Sequence, residues 1–316
     1  MDALSKIFDD IHLHRSEYIY LRSKHPWAFH FQDQNAMVAY VVIQGQCVVH
    51  IDQEQVLLEA GDLCLIPSGQ NHHCKSIQSD VLVESVNITP LFQEQRNKTI
   101  ELNSAESHEA EELFVLAIRG HVDSIMAKPL VNALPTLLHT PHIMSSTAPE
   151  WLQIGLHFLA VEAHQIRPGR DKILDHLVSI LFIECVRDYI AALSDSSSWL
   201  HALSHPELSN ALAAIHEQPQ HAWTVESLAE QCCMSRSKFA SLFTQMLGES
   251  PLAYLQQHRL RLATQHLQMG QLTIQQIAHR IGYSSETAFS QTFKKFYDLT
   301  PSQYRQQHQL AKTESP

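Results

Sequence analysis

The first half of the chain alternates between short apolar runs and turn residues. From residue 18 to residue 88, runs rich in β-branched and aromatic residues are separated by turn segments such as Gln44-Gly45 and Pro67-Ser68-Gly69. This spacing predicts many short strands, which is typical of a small barrel or sandwich. The predicted strands are Tyr18–Leu21, Trp27–Phe31, Ala39–Ile43, Cys47–Ile51, Val56–Leu58, Leu63–Ile66, Val81–Val86 and a closing strand at Leu113–Gly120.

The apolar spacing becomes helical near residue 151. Trp151–Gln165 and Asp171–Leu193 both have broad apolar faces at helical spacing, and Arg167-Pro168-Gly169-Arg170 forms a short connection between them. The pattern therefore predicts an antiparallel helical hairpin. Its apolar face either covers the strands or joins a second copy in a homodimer.

The C-terminal third repeats one helical unit. Six positions match at an offset of 49 residues, and four more match at an offset of 50 after one inserted residue. The chain therefore carries two copies of one module. The matched pairs are Thr224/Thr273, Val225/Ile274, Leu228/Ile277, Ala229/Ala278, Met234/Tyr283, Ser235/Ser284, Phe239/Phe289, Phe243/Phe293, Pro251/Pro301 and Tyr254/Tyr304.

Each copy is predicted to be a helix, a tight turn and a second helix. In the second copy, Thr273 with Gln276 forms a capping box, Gly282 makes the turn, and Ser285 caps a helix over Glu286–Phe296. The first copy has caps at Thr224 and Ser235, and Cys233 stands where the second copy has its glycine. A helix over Leu252–Met269 joins the copies. The predicted core residues are Leu228, Ala229, Phe239, Leu242, Phe243, Ile277, Ala278, Ile281, Phe289 and Phe293. This arrangement is typical of the helix-turn-helix, which places its second helix in the DNA major groove.

Charge divides the chain at the polar stretch 194–198. The net charge of −11 argues at first against a nucleic-acid partner. However, residues 1–204 carry 13 Lys and Arg against 25 Asp and Glu, whereas residues 205–316 carry 9 against 8. We therefore expect an α+β multidomain chain in which the two parts have different roles. The predicted segments are a barrel at 1–145, the hairpin at 146–195, a linker at 196–204, a DNA-binding domain at 205–308 with helix-turn-helix units at about 225–246 and 273–296, and a tail at 309–316.

The location follows from what the sequence lacks. No run approaches 18 uncharged apolar residues, and the first residues do not resemble a signal peptide, which predicts a cytoplasmic protein with no membrane partner. The six cysteines form no CxxC pair or zinc-finger spacing, so we expect reduced, mostly buried thiols. A redox signal through Cys47, Cys64 or Cys74 stays open at this stage.

The repeat resembles the signature of the AraC/XylS family of bacterial transcription regulators. The resemblance rests on Ile277-Ala278, Ile281-Gly282-Tyr283-Ser284-Ser285, Phe289, Phe293-Lys294-Lys295-Phe296, Thr300-Pro301 and Tyr304-Arg305, and the first copy fits as well. It implies double-stranded DNA and RNA polymerase as partners. The implied DNA-contacting residues are Arg236, Ser237, Lys238, Ala240, Ser241, Glu286, Thr287, Ser290, Gln291, Lys294 and Lys295. The two lysines suit phosphate contact.

The N-terminal part resembles the cupin-type sensor domains of that family. Gly61, Pro67, Gly69 and His72 are close to the second cupin motif. At the first motif, the positions that hold metal in cupin enzymes carry residues such as Gln32, Gln34 and Val38, so we expect no metal and no other cofactor there. We expect instead a small-molecule effector pocket near His72, His50 and His30, with His72 at its mouth.

Three functions are compatible with these features. The first is a sequence-specific transcription regulator, without enzyme activity, that responds to a signal sensed by the N-terminal domain. The alternative is a cupin-type enzyme fused to a DNA-binding domain, and the weak metal-ligand set argues against it. The third is an architectural DNA-binding protein without a signal, which the distinct acidic half disfavours.

Overall fold

The protein is described by a computed structural model that covers residues 2–11, 14–24, 26–33, 36–77, 84–94, 98–102, 112–143, 150, 154–155, 158, 168–193, 199–205 and 207–314. Its contacts divide the chain into two compact units. Ile11–Ala192 forms the first, here called the β-domain. Met1–Asp10 and Leu193–Pro316 together form the second, the helical unit. Within the part of the chain that is described, no helix is long and apolar enough to cross a membrane.

The β-domain consists mainly of short strands, as the alternating pattern predicts. Its strands are β1 His14–Lys24, β2 Ala28–Phe31, β3 Ala36–Gln44, β4 Gln46–Ile51, β5 Glu54–Glu59, β6 Leu63–Ile66, β7 His72–Lys75, β8 Val86–Asn87, β9 Thr99–Glu101, β10 Glu112–His121 and β11 Leu138–Thr140. Three helices accompany them: α2 Leu91–Glu94, α3 Ser124–Ala133 and α4 Arg170–Ala192, while α1 Ala3–Ile11 precedes the strands.

The described strands form two sheets. One has the order β11-β6-β3-β10-β1-β9 and the other has the order β5-β4-β7-β2-β8. Alternate residues of both sheets enter a common core that contains Trp27, Phe29, Phe31 and Tyr40 among its largest side chains. The expected cupin-like β-rich fold is confirmed, with two sheets around one apolar core.

Some elements differ from the sequence prediction. Strand β7 is absent from the predicted set because its sequence, His-His-Cys-Lys, has no β-branched residue. The run Val81–Val86 is described only from residue 84, and its last residue begins β8. Most of the predicted helix Trp151–Gln165 lies outside the described residues, whereas the second hairpin helix is present as α4.

The helical unit contains the repeated modules. Its helices after α4 are α5 Trp199–Ser204, α6 Leu208–Glu217, α7 Val225–Gln231, α8 Arg236–Leu247, α9 Pro251–Met269, α10 Ile274–Arg280, α11 Glu286–Tyr297 and α12 Pro301–Glu314. Residues 199–204, which the sequence analysis places in a linker, are helical, and α12 continues through most of the predicted tail. Helix α1 also packs with this unit up to Asp10, although the sequence analysis assigns it to the barrel segment.

Candidate nucleic-acid interface

The caps predicted for both modules are present. Thr224 and Thr273 each form a capping box, in which the threonine hydroxyl accepts from the backbone N–H of the third helical residue. Ser235 and Ser285 cap α8 and α11 by accepting from Lys238 N and Ala288 N. Each cap satisfies a backbone N–H that has no partner inside the helix. The start of each second helix is therefore fixed by local sequence.

The turns of the two modules have the same left-handed backbone conformation but different residues. Gly282 has a φ of +86°, and a Cβ added there would lie 2.6 Å from the Gln220 carbonyl oxygen. Cys233, at the equivalent position, has a φ of +53° and is exposed. The non-glycine residue therefore accepts the left-handed conformation, which costs about 1–2 kcal/mol for an L-residue.

The core between the helices matches the prediction closely. Nine of the ten predicted core residues are buried, and Leu242 is half-buried. A tilted ring contact links Phe239 to Phe243 and an edge-to-face contact links Phe289 to Phe293, with ring centroids 5.5 Å apart in both pairs. The matching cores hold α8 and α11 in equivalent positions within their modules.

The outer faces of α8 and α11 carry the predicted DNA-contacting residues. Arg236, Ser237, Lys238, Ser241, Glu286, Thr287, Gln291, Lys294 and Lys295 are exposed, while Ala240 and Ser290 are partly buried. On α11, Thr287, Gln291 and Lys294 lie four and three positions apart, so they share one face of the helix. Hydroxyl, amide and ammonium groups on this face can contact base edges and phosphates.

Two of the predicted cations are already engaged by carboxylates. Arg236 Nε lies 2.6 Å from Glu226 Oε1, and Lys238 Nζ lies 3.4 Å from Glu207 Oε2. Both pairs are exposed, so each contributes little to stability and can exchange its partner for a phosphate. The acidic neighbours therefore weaken the positive field at the start of α8.

Two other arginines hold the loops that lead into the modules. Arg259, on the connecting helix α9, donates to the backbone carbonyls of Pro219 and His221. Arg305 donates to the Leu272 carbonyl over 2.7 Å. Because Gly282 also packs against the loop at Gln220, the second turn is fixed against the entrance of the first module. These two arginines serve the structure of the unit.

The structure also adds two residues to the candidate interface. Thr244 and Gln245 are exposed on α8, about one helical turn beyond Ser241. They occupy the positions that correspond to Lys294 and Lys295 at the offset of 50 residues. The internal repeat carries this signal, although neither residue is charged.

The structure does not bring together the three histidines of the expected effector pocket. His72 is buried inside the β-domain, where its Nε2 lies 2.7 Å from Tyr40 Oη and its Nδ1 lies 2.7 Å from the Gln70 carbonyl oxygen. It therefore does not stand at a pocket mouth. Since the carbonyl only accepts, neutral His72 donates through Nδ1 and accepts from Tyr40 through Nε2. Burial lowers the pKa of His72 to about 4.

His30 and His50 belong to the opposite face of the same sheet. In the strand register, each pairs with His73, the neighbour of His72. Successive residues of a strand point to opposite faces, so His73 shares the outer face with His30 and His50 while His72 points inward. Desolvation lowers the pKa of both His30 and His50.

The cysteines of the β-domain are enclosed in its core. Cys47, Cys64 and Cys74 are buried, and burial raises the pKa of each thiol. A thiol in such surroundings is a poor nucleophile. The exposed cysteine of the chain is Cys233, in the turn of the first module.

The sequence is similar to known proteins along both units. Residues 2–191 match a cupin family, and residues 228–307 match a helix-turn-helix domain. The chain is 56% identical, over 97% of its length and 100% of the relative, to the HTH-type transcriptional regulator AlkR of Acinetobacter baylyi. It is 36% identical to the RCS-specific HTH-type transcriptional activator RclR of Escherichia coli, over 58% of this chain and 66% of the relative. Among solved structures, the DNA-binding domain of AdpA in complex with a target DNA is 26% identical, with a TM-score of 0.33 over 34% of this chain and 98% of that one.

Proposed function

This chain belongs to the AraC-type family of helix-turn-helix transcriptional regulators with an N-terminal cupin domain, and we propose that it reads DNA by placing α8 and α11 in neighbouring segments of the major groove. The observation that carries this proposal is the repeated module, with two capped helices that expose polar faces at equivalent positions. The two segments lie about one turn, or ~10 bp, apart, so one chain reads an asymmetric site.

Sequence preference is assigned to the amide, hydroxyl and carboxylate groups on these faces. Gln291 can form a bidentate contact with adenine, and Glu286 can accept from cytosine N4. Arg236 can contact guanine once it leaves Glu226. Lys294 and Lys295 are assigned to phosphate contacts. Helix N-termini add phosphate contacts, which is why residues 205–316 need no large positive charge.

The binding site can be found by sequencing the genomic fragments that the purified full-length protein retains. Footprinting on the best fragment is expected to show two protected major-groove segments about 10 bp apart. Protection of a single segment, or equal affinity for random DNA, would contradict the two-module proposal.

Matched lysine variants separate DNA contacts from general charge effects. Lys294→Ala and Lys295→Ala should each lower the salt slope of the binding constant by about 1 and weaken binding to all sequences alike. Lys172→Ala, which removes an exposed lysine of α4 in the β-domain, is the control and should leave the slope unchanged. If all three variants behave alike, the lysines of α11 do not contact phosphate.

We also propose that the chain forms a homodimer through the hairpin. Large apolar side chains in this region are exposed: Ile154, Phe158, Ile173 and Ile180 have 41–53% of their surface accessible. Ile173 and Ile180 are seven residues apart on α4 and share a face. Sedimentation of Ile180→Glu should show a shift from dimer to monomer, and a wild-type protein that sediments as a monomer would refute the dimer.

We propose that the signal is a small-molecule effector that binds to the β-domain. We also propose that the protein is cytoplasmic and acts on RNA polymerase. The cupin match over residues 2–191 supports a sensing role, and the regulator names of the relatives support a role without catalysis. The genes beside the mapped binding sites will suggest effectors to test. An effector should change the affinity of the full-length protein for its operator, and one that binds without changing operator affinity or transcription would argue against the sensing role.

A further inference from the structure

Three potential metal ligands meet in the helical unit, away from the DNA-reading faces. Asp10 lies near the end of α1, His216 near the end of α6 and His258 in the middle of α9. One carboxylate oxygen and one ring nitrogen from each histidine all lie within 4.8 Å of one another. The three residues are far apart in sequence, so only the packing of the helices assembles them.

His258 gives this cluster its unusual character. Its side chain has no accessible surface, and neither ring nitrogen has a hydrogen-bond partner within the described part of the chain. Its Nε2 lies 3.9 Å from Asp10 Oδ2, which is beyond hydrogen-bond distance. Buried polar atoms nearly always have a partner, so an unpaired imidazole beside a carboxylate suggests that an ion or a water belongs between them.

His216 is oriented in the manner of a metal ligand. Its Nδ1 lies 2.7 Å from Asp10 Oδ2, and its Nε2 lies 2.9 Å from Tyr254 Oη. In metal sites, the second ring nitrogen of a ligating histidine usually bonds to another group, which fixes the ring. Asp10 is held as well, because its backbone carbonyl accepts from Gln265 Nε2 over 3.1 Å. Both ligands are therefore oriented before any ion arrives.

We propose that Asp10, His216 and His258 bind one divalent transition-metal ion, with Zn²⁺ as the ion that suits the site best. Two imidazoles and one carboxylate form a common zinc ligand set, with bonds of about 2.0–2.2 Å and a fourth position left for water. Tetrahedral ligands at such distances lie about 3.3 Å apart, so the 2.7 Å and 3.9 Å spacings from Asp10 Oδ2 to His216 Nδ1 and His258 Nε2 must each change by about 0.6 Å when the ion binds. The ion provides the partner that His258 lacks and links α1 to α6 and α9.

Zinc titration of the untagged, EDTA-treated full-length protein tests the site. Competition with a chromophoric chelator should show one tightly bound Zn²⁺ per chain. Asp10→Asn and His258→Phe should each weaken binding by more than the ~10–100-fold that loss of an outer-sphere partner costs. His221→Asn, which changes another histidine of the same unit outside the cluster, is the matched control and should bind as the wild type does. Absence of a stoichiometric site, or equal affinity in all four proteins, would overturn the proposal.

Amide exchange provides a second readout that surface histidines cannot mimic. Zn²⁺ should slow hydrogen–deuterium exchange of residues 3–11 in the wild type and leave it unchanged in His258→Phe. Asp10 is partly exposed, so Asp10→Asn should fold normally. This variant therefore still tests the site if His258→Phe, which changes a buried residue, fails to fold. Zinc binding without slower exchange in α1 would mean that the ion sits elsewhere and would refute the assignment.

Discussion

The buried His72 should make the stability of the β-domain depend on pH. Its ring lies inside the apolar core between Tyr40 and the Gln70 carbonyl, and burial lowers its pKa from 6.5 to about 4. The unfolded chain therefore binds a proton at His72 more readily than the folded chain does. The stabilising effect is complete above pH 6.5, falls between pH 6.5 and about 4, and is fully lost below that range.

The size of the effect follows from the two pKa values. A shift of one unit corresponds to about 1.4 kcal/mol, so the complete effect is about 3 kcal/mol. Between about pH 7 and about pH 5, the expected loss in the free energy of unfolding is about 2 kcal/mol. His72→Leu should remove this pH-dependent part, although it also lowers stability at neutral pH by leaving Tyr40 Oη and the Gln70 carbonyl without their partner.

Pulsed hydrogen–deuterium exchange in urea can measure the unfolding of the β-domain separately, through peptides of β3 and β4. His73→Leu is the matched control, because His73 is the next residue of the same strand and is exposed on the outer face. It should keep nearly all of the pH dependence. Imidazole ¹⁵N spectra should further show His72 protonated at Nδ1 and not titrating near pH 6.5. An unchanged pH dependence in His72→Leu, or titration of His72 near its ordinary pKa, would refute the reasoning.

Three further predictions concern the helix-turn-helix modules. Gly282→Ala should lower the free energy of unfolding by more than about 2 kcal/mol, because the new Cβ meets Gln220 in a left-handed turn. Cys233→Gly should raise the free energy of unfolding by about 0.5–1 kcal/mol, because glycine relieves the left-handed strain. Urea unfolding measures both variants, and a change in the same direction for the two would contradict this. Thr273→Ala should cost about 1 kcal/mol by removing the capping box with Gln276, and a circular-dichroism melt identical to the wild type would count against the cap. A thiol reagent should label one cysteine in the native chain, Cys233, and labelling that persists in Cys233→Ser would show that a buried thiol is accessible.

The sequence alone determined the DNA-binding third of this protein. Caps, turn residues and apolar spacing act within a few residues of each other, so Thr273, Gly282 and Ser285 identify their module without knowledge of the rest of the chain. The internal repeat supports the helix-turn-helix prediction, because the same local signals occur twice in the sequence. Alternation between apolar and polar positions is also a local signal and predicts most of the longer strands, whereas β7, which has no β-branched residue, is missing from the predicted set.

Tertiary structure decided which histidines meet and which are buried. Strand register places His72 in the core and His30 and His50 on the outer face, and a shift of one residue would exchange those faces. Helix packing brings Asp10 to His216, 206 positions further along the chain. Sequence patterns report the local preferences of the backbone, whereas such contacts depend on how whole elements pack, and no local signal carries that information.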